Sequence, residues 1–264
     1  MKTQAGPNGP PRAPLTRDRI LRAAMSLADE GGIGALTMRS LGRALGVEAM
    51  SLYNHVANKD AVLDGIVGLV LAEFQLPPAG EDWDVAIRKC AVSAHEALLR
   101  HPWACPLVME LTSGPAARAA RMRYIDALLG RLHEAGFSPE LRYHAYHALD
   151  SHVLGFTLWQ IGHKFASQGG GLVTELVREL SSGGYPHLAE HAGHHAEFGD
   201  DQGFEFGLDL VLDGLKTALA PSAPGQGRAG ANDDPSRPGR RRPRASPHRP
   251  AEPLSAGPRP TESR

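Results

Sequence analysis

The sequence predicts an all-α fold: an N-terminal three-helix helix-turn-helix domain followed by a larger helical domain. Three observations predict it. From about Leu15 to Leu219 apolar residues recur at helical spacing, and no run alternates apolar and polar residues as a half-buried strand does. Capping residues (Thr16, Thr37, Asn58, Ser138) and stopping residues (Gly31, Gly46, Pro77, Gly136) divide this stretch into helix-sized pieces. The 264 residues are 42% apolar and 22% charged, the balance of an ordinary soluble globular chain.

The elements follow in order. Thr16 caps a helix running to Glu30, with Ile20, Ala24, Leu27 and Ala28 on one face, and Gly31 and Gly32 stop it. Thr37 caps "MRSLGRAL", which ends at Gly46, and a third helix spans about Glu48 to His55. Asn58 caps a fourth, from Lys59 to about Phe74, before Pro77 and Pro78. "DWDVAIRKCAVSAHEALLRHP" reads as a helix ended at Pro102. Pro115 suits the first turn of a helix ending near Gly136. Ser138, Pro139 and Glu140 start another, long enough to reach about Phe165. A Gly-rich break at Gly169–Gly171, a short helix, a His-rich segment and a last helix from Phe204 to Leu219 complete the body.

Composition excludes several classes. Two cysteines, Cys90 and Cys105, make no disulfide framework and no Cys-x-x-Cys pair, so a reducing, cytoplasmic compartment is expected. The start "MKTQAGPNGPPRAP" has no apolar signal core, and the most apolar run, "AVLDGIVGLVLAEF", is broken by Asp64 and too short to cross a bilayer, so no membrane partner is expected. Residues 1–60 carry eight Lys and Arg against five Asp and Glu, and 221–264 carry nine against four, leaving the middle acidic. A basic front on an acidic body points that front toward a polyanion. Residues 1–14 form an expected disordered arm, and 221–264, rich in Pro, Gly, Ser and Arg, an expected disordered tail. Between them the division expected is 15–76 and 77–220.

Two short helices joined through Gly46 make a helix-turn-helix. Leu41, Leu45, Val47, Leu52 and Val56 supply the contacts that set the angle between them. The second helix is too short to stand alone, so packing holds one face and leaves the other free. Its free positions are Ala49, Met50, Ser51, Tyr53, Asn54 and His55. In DNA-binding versions this helix enters the major groove. Ser, Tyr and His donate to phosphate oxygens there, and Asn pairs with adenine. Thr37 and Arg39 start the first helix of the motif, and Lys59 starts the following one, where ammonium and helix N-terminus both favour phosphate. Read alone, Tyr53 also fits a core aromatic with its hydroxyl at the edge.

"LTMRSLGRALGVEAMSLYNHVANKDAVLDGIV" resembles the N-terminal domain of the TetR family of transcriptional repressors, through Thr37, Leu45, Gly46, Val47, Leu52, Tyr53, His55, Lys59 and Leu63. The resemblance covers about residues 15–66 and implies a homodimer whose two recognition helices read a palindromic double-stranded operator. Several tetracycline repressors carry Gln-Pro-Thr where this chain has Ala49, Met50 and Ser51. Ala and Met meet a thymine methyl but read no base by hydrogen bonds, so the operator sequence does not carry over.

"FEFGLDLVLDGLKTAL" resembles the last helix of the tetracycline-repressor type of C-terminal domain, which pairs with the long preceding helix in a four-helix bundle across the dimer. That resemblance makes 77–220 a ligand-binding and dimerisation domain, and the function a repressor released by a small-molecule effector. An activator or ligand-independent regulator is the alternative. Pocket candidates are His147, Ser151, Phe156 and Trp159, with packing of the dimer bundle an equal reading for each, and His101, where tetracycline repressors have a histidine that binds the drug's magnesium. Tetracycline itself is not implied, and no cofactor is expected. His187, His191 and His195 fall on one helical face as a weak metal-site candidate, the basis of a metal-sensor or metalloenzyme reading, against the blander reading of a surface loop. No nucleophile motif, phosphate-binding glycine loop or His-Glu-x-x-His accompanies them, so the chain is expected not to be an enzyme.

Overall fold

Helices are the only regular elements among the described residues. The computed structural model describes residues 14–110, 114–167, 183–194 and 200–220. The two termini, the Gly-rich break, the short helix expected after it and His195 lie outside them. No described helix is long and apolar enough to cross a membrane.

The first four helices are α1 (Arg17–Gly31), α2 (Met38–Leu45), α3 (Ala49–Leu52) and α4 (Lys59–Ala72), with one 3-10 turn at Ile33–Ala35. Thr16 caps α1 by accepting from the Arg19 amide at 3.2 Å, and Ile20, Leu21, Ala24 and Ala28 form its buried face. Thr37 and Ser40 cap α2 reciprocally: the Ser40 amide donates to Thr37 Oγ1 at 3.0 Å, and the Thr37 amide to Ser40 Oγ at 2.9 Å. At the other end Gly46 takes the left-handed conformation (φ 68°, ψ 34°). The Val47 amide then reaches the Gly42 carbonyl at 2.9 Å and the Gly46 amide the Arg43 carbonyl at 3.1 Å, closing a Schellman turn.

Two expectations change here. The third helix is shorter than Glu48–His55: after Leu52 the chain tightens, with the Tyr53 amide bonded to the Met50 carbonyl and that of His55 to the Leu52 carbonyl. A further helix also follows α5 (Trp83–Arg100), namely α6 (Ala104–Met109), which the sequence reading left out. Pro102 and Pro106 bracket its start, and only burial of Ala104, Cys105 and Val108 holds so short a piece.

The rest are α7 (Pro115–Glu134), α8 (Pro139–Ser167), α9 (Pro186–His194) and α10 (Asp200–Leu219). Ser138 caps α8 through the Leu141 amide at 3.1 Å. α8 packs on α5, α6, α7 and α10. Arg88 of α5 pairs with Glu205 and Asp209 of α10, and Lys216 of α10 with Asp84 of α5 at 2.8 Å. These pairs sit at the surface and add little stability.

α4 is the central element. Val62, Ile66, Val67, Val70 and Leu71 are all buried, so it is covered on several sides, by α1 and by α7. Its most extensive contact is with α7, including that helix's first turn. A helix start leaves backbone amides without partners, and here the residue before Pro115 is Gly114, which has no side chain to cap with. Asp64 of α4 does so instead: Oδ2 accepts from the Ala116 amide at 3.0 Å and Oδ1 from the Ala117 amide at 2.9 Å. The carboxylate is so close that a Cβ at position 114 would lie 2.4 Å from its Cγ. Asp64→Ala is expected to lower unfolding stability by about 1 to 2 kcal/mol, as for a lost helix cap. Asp64→Asn keeps an acceptor and should lose less, both read from urea denaturation monitored by circular dichroism.

Candidate functional site

The helix-turn-helix buries one side of its second helix and bares the other. Leu52 is fully buried and Val56 nearly so, whereas Met50 is 75% and Tyr53 45% exposed. Asn54 and His55 are exposed beside Tyr53, and Ala49 and Ser51 half-buried. Tyr53 is thus no core aromatic. A Cβ at Gly42 would lie 2.9 Å from the Val47 carbonyl, so glycine there lets α3 sit tightly on α2. Arg39 is exposed on the first turn of α2. Lys59 opens α4, which Asn58 caps through the Ala61 amide at 2.8 Å. The nine residues expected to face DNA therefore lie on α2, on α3 and the turn after it, and on the start of α4. Two have other roles as well: Thr37 is the α2 cap, and Ala49 packs over Gly42.

A cavity lies in the helical body between α4, α5, α6, α7 and α8. α4 contributes Leu71 and the turn after it Phe74, α5 Ile87, Ala91 and Ala94, and α6 Val108. α7 contributes Arg121, Tyr124, Ile125 and Leu128, and α8 Tyr146, Leu149, Asp150, Val153 and Leu154. Its volume of about 30 Å³ has room for one or two waters, so a drug-sized ligand enters only if the helices part. The walls are apolar, with Phe74 and Tyr124 edge-on at 5.3 Å. Polar groups gather at one end. Arg121 Nη1 donates to the Val108 carbonyl, and its Nη2 stands 3.9 Å from Asp150 Oδ2. Burial pushes the Asp150 carboxyl above its ordinary range, although Arg121, Tyr146 and His147 draw it down. Burial, and then the charge of Asp150, push the Tyr146 phenol up.

None of the five sequence candidates for a ligand pocket lines this cavity. His147 and Ser151 are exposed on α8, His147 with its ring 4.4 Å from that of Tyr143. Phe156 packs among His152, Phe204 and Trp159, and Trp159 is 39% exposed. His101 ends α5 and joins helices: its Nδ1 is 2.7 Å from Asp29 Oδ1 at the end of α1, and its Nε2 3.2 Å from Glu73 Oε1 just after α4. Trp103 Nε1 donates to the same Asp29 oxygen at 2.7 Å. The cavity residues that the sequence reading missed carry a faint signal, since Arg121 with Tyr124, and Tyr146 with Asp150, stand one helical turn apart. His187 and His191 are exposed on α9. Among the described residues no group of His, Cys, Asp or Glu is arranged to hold a metal ion.

Residues 20–66 match the pattern of bacterial regulatory proteins of the tetR family, and residues 76–219 that of the Tetracyclin repressor-like C-terminal domain. The chain is a DNA-binding transcriptional regulator. It belongs to the TetR family, whose members bind operator DNA, dimerise and bind small-molecule ligands. It is 30% identical over 226 residues to the HTH-type transcriptional repressor DrrR1 of Streptomyces coeruleorubidus, covering 81% of this chain and 82% of that one. It is 34% identical over 205 residues to the tetracycline repressor protein class A from transposon 1721 of Escherichia coli, covering 76% and 90%. The crystal structure of Streptomyces coelicolor TetR family protein ActR in complex with actinorhodin is 28% identical, with a TM-score of 0.63 over 79% of this chain and all of that one.

Cys90 of α5 and Cys105 of α6 are both buried and unpaired with each other. Burial pushes their thiols up to about 12 and about 11. Both are therefore protonated and enclosed at neutral pH. A thiol-reactive chromophore should modify neither in the native protein and both after denaturation.

Proposed function

We propose that this protein is a repressor that binds its operator as a homodimer and leaves it when a small molecule occupies the cavity between α4 and α8. The observation that carries this reading is the exposed set Tyr53, Asn54 and His55 over buried Leu52 and Val56, joined through α4 to the wall of a small, mostly apolar cavity. Residues 15–76 form the DNA-binding unit and 77–220 the effector and dimerisation unit. Met50, Tyr53, Asn54 and His55 face the major groove, with Ala49 and Ser51 at its edge. Thr37, Arg39 and Lys59 hold the flanking phosphates. An effector parts α7 from α8, and α7 carries Asp64, and with it α4, to a new position. The effector need only bind the displaced arrangement more tightly than the DNA-bound one. That the relatives DrrR1 and class A are named repressors supports release rather than activation.

The dimer forms through α8 and α10. Leu158 and Trp159 on α8 and Phe206 and Leu210 on α10 are large apolar side chains, each at least 39% exposed, with Phe206 reaching 67%. Ala148, Ser151, Gly155 and Gly162 are exposed small residues along α8, which let a second helix pair come close. Leu210→Glu should convert the dimer to a monomer in light scattering at micromolar concentration and abolish operator binding.

Lys59→Ala and Tyr53→Ala should each weaken binding to an operator selected from random duplexes, Lys59→Ala on the order of tenfold at low salt. Losing one phosphate contact per subunit should also lower the slope of log affinity against log salt by about 2 per dimer. Wild-type affinity in both variants at every salt concentration overturns this DNA-binding surface.

A further inference from the structure

The chemistry of the cavity is specific enough to name what fits it. The polar end holds one cation and one anion, Arg121 and Asp150, within otherwise apolar walls. Their 3.9 Å separation is too long for a hydrogen bond, so the pair keeps capacity for a further hydrogen-bonding partner. Arg121 is tethered by its other nitrogen to the Val108 carbonyl, so it cannot swing away without leaving that carbonyl unpaired. The Tyr146 hydroxyl interacts with both Arg121 and Asp150.

A ligand with a net charge meets an unfavourable partner here. A carboxylate that accepts from Arg121 faces the Asp150 oxygens, and an ammonium that donates to Asp150 faces the guanidinium. Both side chains are partly withdrawn from solvent, which weakens the screening of either repulsion. A hydroxyl meets both groups correctly, accepting from Arg121 and donating to Asp150. Beyond it the ligand meets Leu71, Ile87 and Leu154, and the rings of Phe74 and Tyr124, which favour a flat hydrocarbon ring. Ala91 and Ala94 keep the α5 wall shallow.

We propose that the effector is an uncharged, ring-containing apolar compound bearing a hydroxyl that bridges Arg121 and Asp150. This rests on the reading that the cavity is the effector site. Burial of Asp150 sets the competing possibility: a protonated Asp150 leaves Arg121 to pair with an anion.

The test uses the purified full chain and three matched bicyclic probes, 2-naphthol, 2-naphthoate and 2-naphthylmethylammonium, with calorimetric titration and thermal shift. 2-Naphthol should bind at least tenfold tighter than either charged probe. Asp150→Leu should cost 2-naphthol at least tenfold and raise affinity for 2-naphthoate, a reversal that mere loosening of the fold does not produce. Tyr146→Phe, which removes one hydroxyl only, should weaken 2-naphthol less than Asp150→Leu and leave the probe order unchanged. Ala91→Leu fills the cavity and should abolish all probe binding. If 2-naphthol binds Ala91→Leu as it binds wild type, the cavity is not the effector site and the underlying reading fails. If Ala91→Leu blocks binding but a charged probe binds as well as 2-naphthol, the site stands and the assigned class is wrong. Absence of binding by every probe at its solubility limit also overturns the class.

Discussion

A helix that begins on a glycine and a proline has no cap of its own, and in this protein the missing acceptor comes from another helix. Asp64 of α4 closes the start of α7 with bonds to two successive amides. Because those amides are otherwise unpaired, α4 cannot slide away from α7 without exposing them. Gly68 tightens the same contact: a Cβ there would stand 3.3 Å from the Ala116 backbone. α4 also leans on α1 through Gly65, whose added Cβ would meet Leu21 at 2.6 Å. The position of the DNA-binding helices is thus geared, through one carboxylate and two glycines, to the first turn of a helix in the body.

The second connection lies at the far end of α4. His101 and Trp103 reach Asp29 of α1, while His101 and Arg100 reach Glu73. Burial of His101 makes this a rigid corner rather than a surface ion pair. α4 is therefore held at two points, by α7 at Asp64 and by the α5–α6 corner at Glu73 just past its end. Leu71 between them, and Phe74 just past the second, face the cavity. In the proposed mechanism an effector acts on α7 and α8, and on α4 at Leu71, and α4 passes the movement to the other DNA-binding helices while these two attachments fix its position. That is a physical chain of contacts with discrete bonds to break.

The sequence revealed the helix-turn-helix because its determinants are local. Thr37 and Asn58 are caps, Gly46 is the left-handed turn, and Leu52 and Val56 alternate with exposed neighbours by helical geometry alone. The end of α3 was harder, because the tight turn after Leu52 depends on i to i+3 bonds that no residue type announces. The body was legible as helices but not as a cavity. On α8 the histidines and aromatics draw attention to two faces, whereas the cavity face is the one between them, with Tyr146, Asp150 and Val153. Which face turns inward is decided by α5 and α7, whose packing is not written in α8. His101 illustrates the same limit: its place at a helix end is plain, but its partners Asp29 and Glu73 lie far away in sequence. α6 escaped notice because tertiary burial, not propensity, makes it a helix.

Movement at the cavity should reach the recognition helices through Asp64. Pulsed electron resonance on the dimer tests it, with a spin label at Ala44→Cys on exposed α2, the native cysteines being buried. Ala91→Trp places a ring permanently in the cavity. The distance between the two labels should change in Ala91→Trp, and adding Asp64→Ala should return it toward the parent value. An unchanged distance in Ala91→Trp, with helix content and dimer intact, contradicts it.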